Sequence, residues 1–165
     1  MSKTIHINPF DPASVAKAVQ EVRDYSRWVQ DKANELAHRL ADMGAVLASI
    51  EFSRVPYIGK KDVNVDVEQR SENTFAIVAS GETVLILEFG AGIRYGNGHP
   101  QAEEFGYGPG TYPGQTHALD PNGWWLPKAA GGGHSYGNPP AMAMYLTGKE
   151  LADRVLEVAK EVFRS

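Results

Sequence analysis

The residue whose chemistry asks most of its surroundings is Glu88. It lies in the run Thr83 to Phe89, among Val84, Leu85, Ile86, Leu87 and Phe89. A carboxylate among apolar side chains is costly unless it is paired or hydrogen-bonded. Read as a strand apolar on both faces, the run puts Glu88 on one side with Val84 and Ile86. The expected partner is Arg94 or a basic residue of a neighbouring copy; the alternative is that strand alternation carries the carboxylate to solvent. Beyond it lie His99, His117 and His134 with Glu103, Glu104 and Asp120. Their spacing is irregular, with no pair three or four apart to share a helix face as folded zinc sites usually show. Solvated loop histidines and no metal are expected. Glu103, Glu104 and Asp120 also precede Trp124 and Trp125, and two carboxylates beside aromatic faces are what sugar cleavage or sugar binding requires. A carbohydrate-binding or cell-wall-degrading protein is therefore the alternative functional class. The glycines of Gly90-Ala91-Gly92-Ile93-Arg94-Tyr95-Gly96 miss the dinucleotide spacing, and no helical pattern follows to offer amides to a phosphate.

Composition narrows the choice. The chain has 165 residues, 42% of them hydrophobic, which suits one domain able to bury roughly two thirds of its unfolded surface. There is no cysteine, which removes disulfides, thiolate metal sites and thiol nucleophiles together. The net charge of −4 is mild and the 16 basic residues are dispersed, so sequence-specific nucleic-acid binding is not expected. Met1 to Ile7 lacks the apolar core of a signal peptide, and no stretch approaches the ~20 apolar residues that cross a bilayer. A cytoplasm is the expected place of synthesis, with no membrane partner.

The elements that must position these residues follow from periodicity. Ile5 and Ile7 alternate with Thr4 and His6, suggesting a short first strand closed at Asn8-Pro9. Asp11-Pro12 reads as a helix start, an acceptor side chain followed by a residue with no amide to satisfy. From there Val15, Val19, Val22, Ser26, Val29, Ala33, Leu36, Leu40, Met43, Leu47 and Ile50 recur alternately four and three apart. This heptad stripe predicts one long helix to about Ile50, packed on a sheet and in part on a neighbouring subunit. Val55-Pro56 closes it. Asp62 to Gln69, Asn73 to Ser80 and Thr83 to Phe89 then predict an antiparallel three-strand meander. The final helix carries Leu151, Val155, Val158 and Val162; it starts at the capping-box pattern Thr147 to Glu150 or earlier, just after Pro140.

Between Gly90 and Pro140 fall most of the 17 glycines and 10 prolines, with Tyr95, Phe105, Tyr107, Tyr112, Trp124, Trp125 and Tyr136. Such aromatics are too many for a flexible linker. The fold class is α+β: a long amphipathic N-terminal helix and a C-terminal helix packed on a small antiparallel sheet, with a long insertion rich in glycine and aromatics. Residues 1–165 are one domain, in which 1–90 are the helix and sheet core, 91–140 an extended arm and 141–165 the last helix.

This order of pieces resembles the tail-completion, or neck, proteins of long-tailed bacteriophages and prophages. The resemblance spans nearly the whole chain and is most specific at Glu88-Phe89-Gly90-Ala91-Gly92 and at Asn138-Pro139-Pro140-Ala141-Met142-Ala143-Met144-Tyr145, with Gly123-Trp124-Trp125 between them. Members often carry threonine where this chain has Ala91. The resemblance implies a structural, non-enzymatic subunit with no catalytic residue and no cofactor. It would form a homo-oligomeric ring of six or twelve copies in the virion neck, between the head-side connector or adaptor and the tail terminator or tail tube, after assembly in the host bacterial cytoplasm. The expected contact residues are Glu88, Phe89, Gly90, Gly92, Arg94, Tyr107, Tyr112, Trp124, Trp125, Asn138 and Pro139.

Overall fold

The computed structural model describes residues 4–95, 98–107, 117 and 119–164. Among the described residues the expected first strand does not form: residues 4–8 run beside the start of the long helix outside any ladder. That helix, α1, spans Pro12–Arg54, 43 residues, about 65 Å at 1.5 Å per residue. Asp11 accepts a hydrogen bond from the Ala13 amide at 3.0 Å, and Pro12 takes the first helical position. At the other end Val55 is extended, and the Lys61 ammonium donates to the carbonyls of Phe52 (3.3 Å) and Ser53 (2.7 Å), two of the orphan acceptors of the last turn.

A hairpin follows, β1 (Asn64–Ser71) paired antiparallel with β2 (Thr74–Ser80). Val65 lies opposite Ala79 and Val67 opposite Ile77, with an irregularity between Gln69 and Ser71. The hairpin lies against α1. The third strand of the expected meander is instead a short helix, α2 (Val84–Phe89). An apolar run of this length has no period to distinguish a buried strand from a buried helix, and distant groups settle it. The Asp62 carboxylate accepts from the amides of Glu82 (2.7 Å) and Thr83 (2.9 Å) and from the Thr83 hydroxyl, at the start of α2. At its end, the Ile86 carbonyl takes the Asn138 side-chain amide (3.0 Å), Leu87 the Ala141 amide (2.6 Å) and Glu88 the Met142 amide (3.1 Å). The core gathers there: Leu87 is fully buried with Phe52, Val55, Ala141 and Ala143, and Tyr57, Val63, Val65, Ala79, Val84 and Met144 pack around them.

Further on, β3 (Trp124–Trp125) pairs with β4 (His134–Ser135), with a 3-10 turn at Lys128–Ala130 between them. The last helix, α3, is Ala143–Arg164. It begins at the earlier of the two expected points; Thr147 lies inside it, buried, and does not cap it. The fold is α+β, and among the described residues no helix is long and apolar enough to cross a membrane.

The packing of α1 departs from the heptad reading. Its buried residues in the body of the protein are Ala41, Gly44, Ala48 and Phe52, roughly a quarter turn round from Leu40, Met43 and Leu47, which are only half-buried. Small side chains let two elements approach at one point. A Cβ placed on Gly44 would lie 2.3 Å from Ile77 Cδ1 of β2 and 2.8 Å from Leu151 Cδ1 of α3. α3 runs antiparallel to α1 from there, and Phe163 meets Trp28 edge-on with centroids 5.8 Å apart. The first turns of α1, before Trp28, continue past the end of this pairing. Gly44→Leu should lower unfolding free energy by at least ~3 kcal/mol in urea titration. Gly44→Ala should lower it by about 1 kcal/mol, because overpacking of about 2 kcal/mol is set against a helix-propensity gain of about 1 kcal/mol.

Candidate functional site

As a helix, the run from Val84 turns Glu88 inward with Val84 and Leu87 rather than with Val84 and Ile86. Glu88 is 5% exposed. Within the chain the partner is not Arg94. Glu88 accepts the backbone amides of Met144 (3.0 Å, to Oε2) and Tyr145 (3.1 Å, to Oε1), in the first turn of α3, and sits 3.2 Å from His99 Nε2. The carboxylate thus caps α3, where free amides and the helix dipole favour a negative group. The capping that the sequence assigned to Thr147 is supplied from a different element.

His99, read from sequence as a solvated loop residue, is 4% exposed. Its Nδ1 accepts the Gln101 amide at 3.1 Å, so the ring proton belongs on Nε2 and is donated to Glu88. The imidazole is held between Phe89, centroids 4.3 Å apart, and Tyr145, 5.6 Å apart. Phe89 also meets Tyr107 at 4.3 Å and Phe105 at 5.7 Å. Residues 98–107, expected in an extended arm, therefore lie against α2 and α3. A cleft of about 500 Å³ opens over this cluster, walled by Glu88, Phe89, His99, Phe105, Tyr107 and Tyr145 among others.

Reciprocity marks the junction. α2 gives its carboxylate to the amides that open α3, and its last carbonyls receive the amides of Ala141 and Met142 just before α3. Met142 takes φ 52 to make this turn, a conformation that costs a residue with a side chain on the order of 1 kcal/mol. Next to it, Ala91 and Asn138 exchange both backbone bonds, at 2.9 and 3.0 Å. The two sequence segments singled out by the resemblance are thus bonded to each other. Gly90 and Gly92 take positive φ, 80 and 82, as the chain leaves α2, a conformation that glycine adopts without a side-chain penalty. A tighter position is one the sequence reading passed over: a Cβ on Gly137 would lie 1.8 Å from the Ala91 carbonyl oxygen.

Of the expected contact residues, Glu88, Phe89, Gly90, Gly92, Asn138 and Pro139 come together here with Tyr107. Arg94 lies elsewhere, its guanidinium 4.1 Å from the Tyr136 ring centroid. Trp124 is half-buried, its ring 3.2 Å from where a Cβ on Gly92 would stand. Its neighbour Trp125 faces the other way along β3 and is 76% exposed. Tyr112 lies outside the described residues. Glu103, Glu104 and Asp120 are exposed; Glu104 accepts from the Gln101 side chain and Asp120 from the Asn122 amide. Among the described residues, no group of three or more acidic or histidine side chains is placed to hold a metal.

The fold and site together define an α+β protein in which a buried acid ties a short helix to the start of a long one. Comparison with protein-family models, with curated proteins and with solved structures finds no match.

Glu88→Gln keeps the shape but turns an amino group toward a backbone or ring donor. It should cost about 2–3 kcal/mol of stability, the scale of a charge-assisted bond lost and a donor left unpaired, read by urea unfolding. An unchanged midpoint would remove the capping role. Acid titration tests the Asp62 cap. The Thr83 hydroxyl, then the Glu82 and Thr83 amides, hold the Asp62 carboxyl below its usual range. A carboxyl depressed by folding stabilises the fold above its unfolded value and stops doing so as pH falls through the folded one. Below about pH 4 the wild-type chain should lose this contribution. Asp62→Asn, already without it at neutral pH, should show a shallower loss over the same range.

Proposed function

We propose that this chain is a non-enzymatic structural subunit of a bacteriophage virion, placed at the joint of head and tail and assembled there as a ring of six or twelve copies. Its partners on this reading are its own copies, the head-side connector or adaptor, and the tail terminator or tail tube. Assembly takes place in the host bacterium, and no cofactor is needed. The segment from Gly90 to Pro140 is the insertion that reaches those neighbours, while α1, α3 and the hairpin form the wall.

The observation that carries the reading is how this segment is built. Its ends are clamped by Ala91 and Asn138, yet it holds Trp125 and Leu119 largely in solvent. A tryptophan exposed on an anchored hairpin pays little ordering entropy on contact, and tryptophan is among the residues that dominate interface energies. The resemblance at Glu88 to Gly92 and Asn138 to Tyr145 supplies the kind of assembly. The clamp supports it in one respect: those segments hold one joint in shape, which gives a reason for them to occur together.

The test uses Trp125→Ala, because Trp124 packs on Gly92 and its loss would also disturb the fold. In the phage or prophage that carries the chain, the variant should fold with an unchanged far-ultraviolet circular dichroism spectrum. It should weaken docking by about 2 kcal/mol, leaving heads and tails separate in electron micrographs. Normal joining, or absence of the chain from purified virions, would count against the proposal. Retention of the isolated chain on peptidoglycan, lost in the same variant, would favour the sugar-binding alternative.

A further inference from the structure

The first turns of α1 carry apolar surface that the described residues do not cover. α3 meets α1 at Trp28, and before that point Val15, Val19, Val22 and Tyr25 stand exposed, with Ile7 beside the valines. Ile7, Val15, Ala18, Val19 and Val22 line one groove of about 370 Å³. The five exposed residues leave on the order of 400 Å² open, the size of patch that is often functional on a monomer and about half of the ~800 Å² each partner gives to a stable interface.

We propose that residues 12–25 of α1 pack against the same segment of further copies of this chain. The inference rests on the self-assembly part of the reading above and says where the copies meet. Two features favour a copy over other occupants. The polar residues of the stretch are Lys17, Glu21, Arg23 and Asp24 among others, with charges that balance. Identical helices therefore meet without net repulsion, whereas a helix that lies on an anionic membrane carries an excess of basic residues. The apolar face is also wide: from Tyr25 through Val22 and Val15 to Val19 it covers about 120° at 100° per residue. A two-stranded coil needs only a narrow seam, and a face of this width suits a helix that touches a neighbour on each side.

The chain has no cysteine of its own, so single thiols report the contact directly. Val22→Cys, oxidised in the otherwise wild-type chain, should form covalent dimers at least about tenfold faster than Val46→Cys, which is exposed on another face of α1. Val19→Glu with Val22→Glu should keep its helical spectrum and lose association by roughly a hundredfold or more in sedimentation, the effect of unpaired charges in an apolar contact. Assembly of the double variant like the wild type would overturn the proposed surface and leave the ring reading standing. A wild-type chain that stays monomeric at every concentration would overturn both. Binding to phosphatidylglycerol vesicles, abolished by the same pair of substitutions, would assign the face to lipid and overturn the proposal.

Discussion

The carboxylate of Glu88 is the constraint around which the rest is arranged. A charge this deeply enclosed is tolerable only if donors surround it, and its donors come from residue 99, 11 positions on, and from residues 144 and 145, 56 and 57 positions on. None of the three can be present unless the segment after Gly90 has returned and α3 has begun where it does. Leu87, one residue earlier, is fully buried with Phe52 and Val55 at the end of α1. One short helix thus makes an apolar contact in one direction and a polar one in the next, and it holds the two long helices in a single arrangement.

α1 divides its labour along its length. Toward its end the chain places Ala41, Gly44 and Ala48 where β2 and α3 converge, trading side-chain burial for close approach. Toward its start it carries valines and aromatics that nothing in the described chain encloses. The same heptad regularity runs through both halves, so the pattern alone reports a helix with an apolar side and is silent on which stretch is core.

What could be read from the residues was local. The Asp11-Pro12 start, the Val55-Pro56 stop and the two strands of the hairpin all depend on neighbours a few positions away. So did the inference that Glu88 must have a partner, which follows from its charge and its apolar surroundings. The misreadings share a cause: the deciding group was remote. α2 looked like a strand because Asp62 and Asn138, which finish its ends, are distant in sequence. His99 looked solvated because its partner lies on another element, and Arg94, nearer to Glu88, turned to an aromatic ring instead. Thr147 looked like a cap because nothing local shows that Glu88 opens the helix a turn earlier, at the amides of Met144 and Tyr145. Ile5 and Ile7 alternate like a strand, yet among the described residues no second edge is offered to them.

The bonds between Ala91 and Asn138 close the segment between them at its base, while His99 on Glu88 and the Ala130 carbonyl, which accepts from the Lys60 amide, tie it to the body along its length. Once such a loop is shut at its base, the entropy of closure grows only with the logarithm of its length, about 0.6 kcal/mol for each doubling. Length added or removed between such ties therefore costs the helices beneath little. The closure fixes where the segment leaves and rejoins the helices, and its length between ties is the least costly property of the chain to alter.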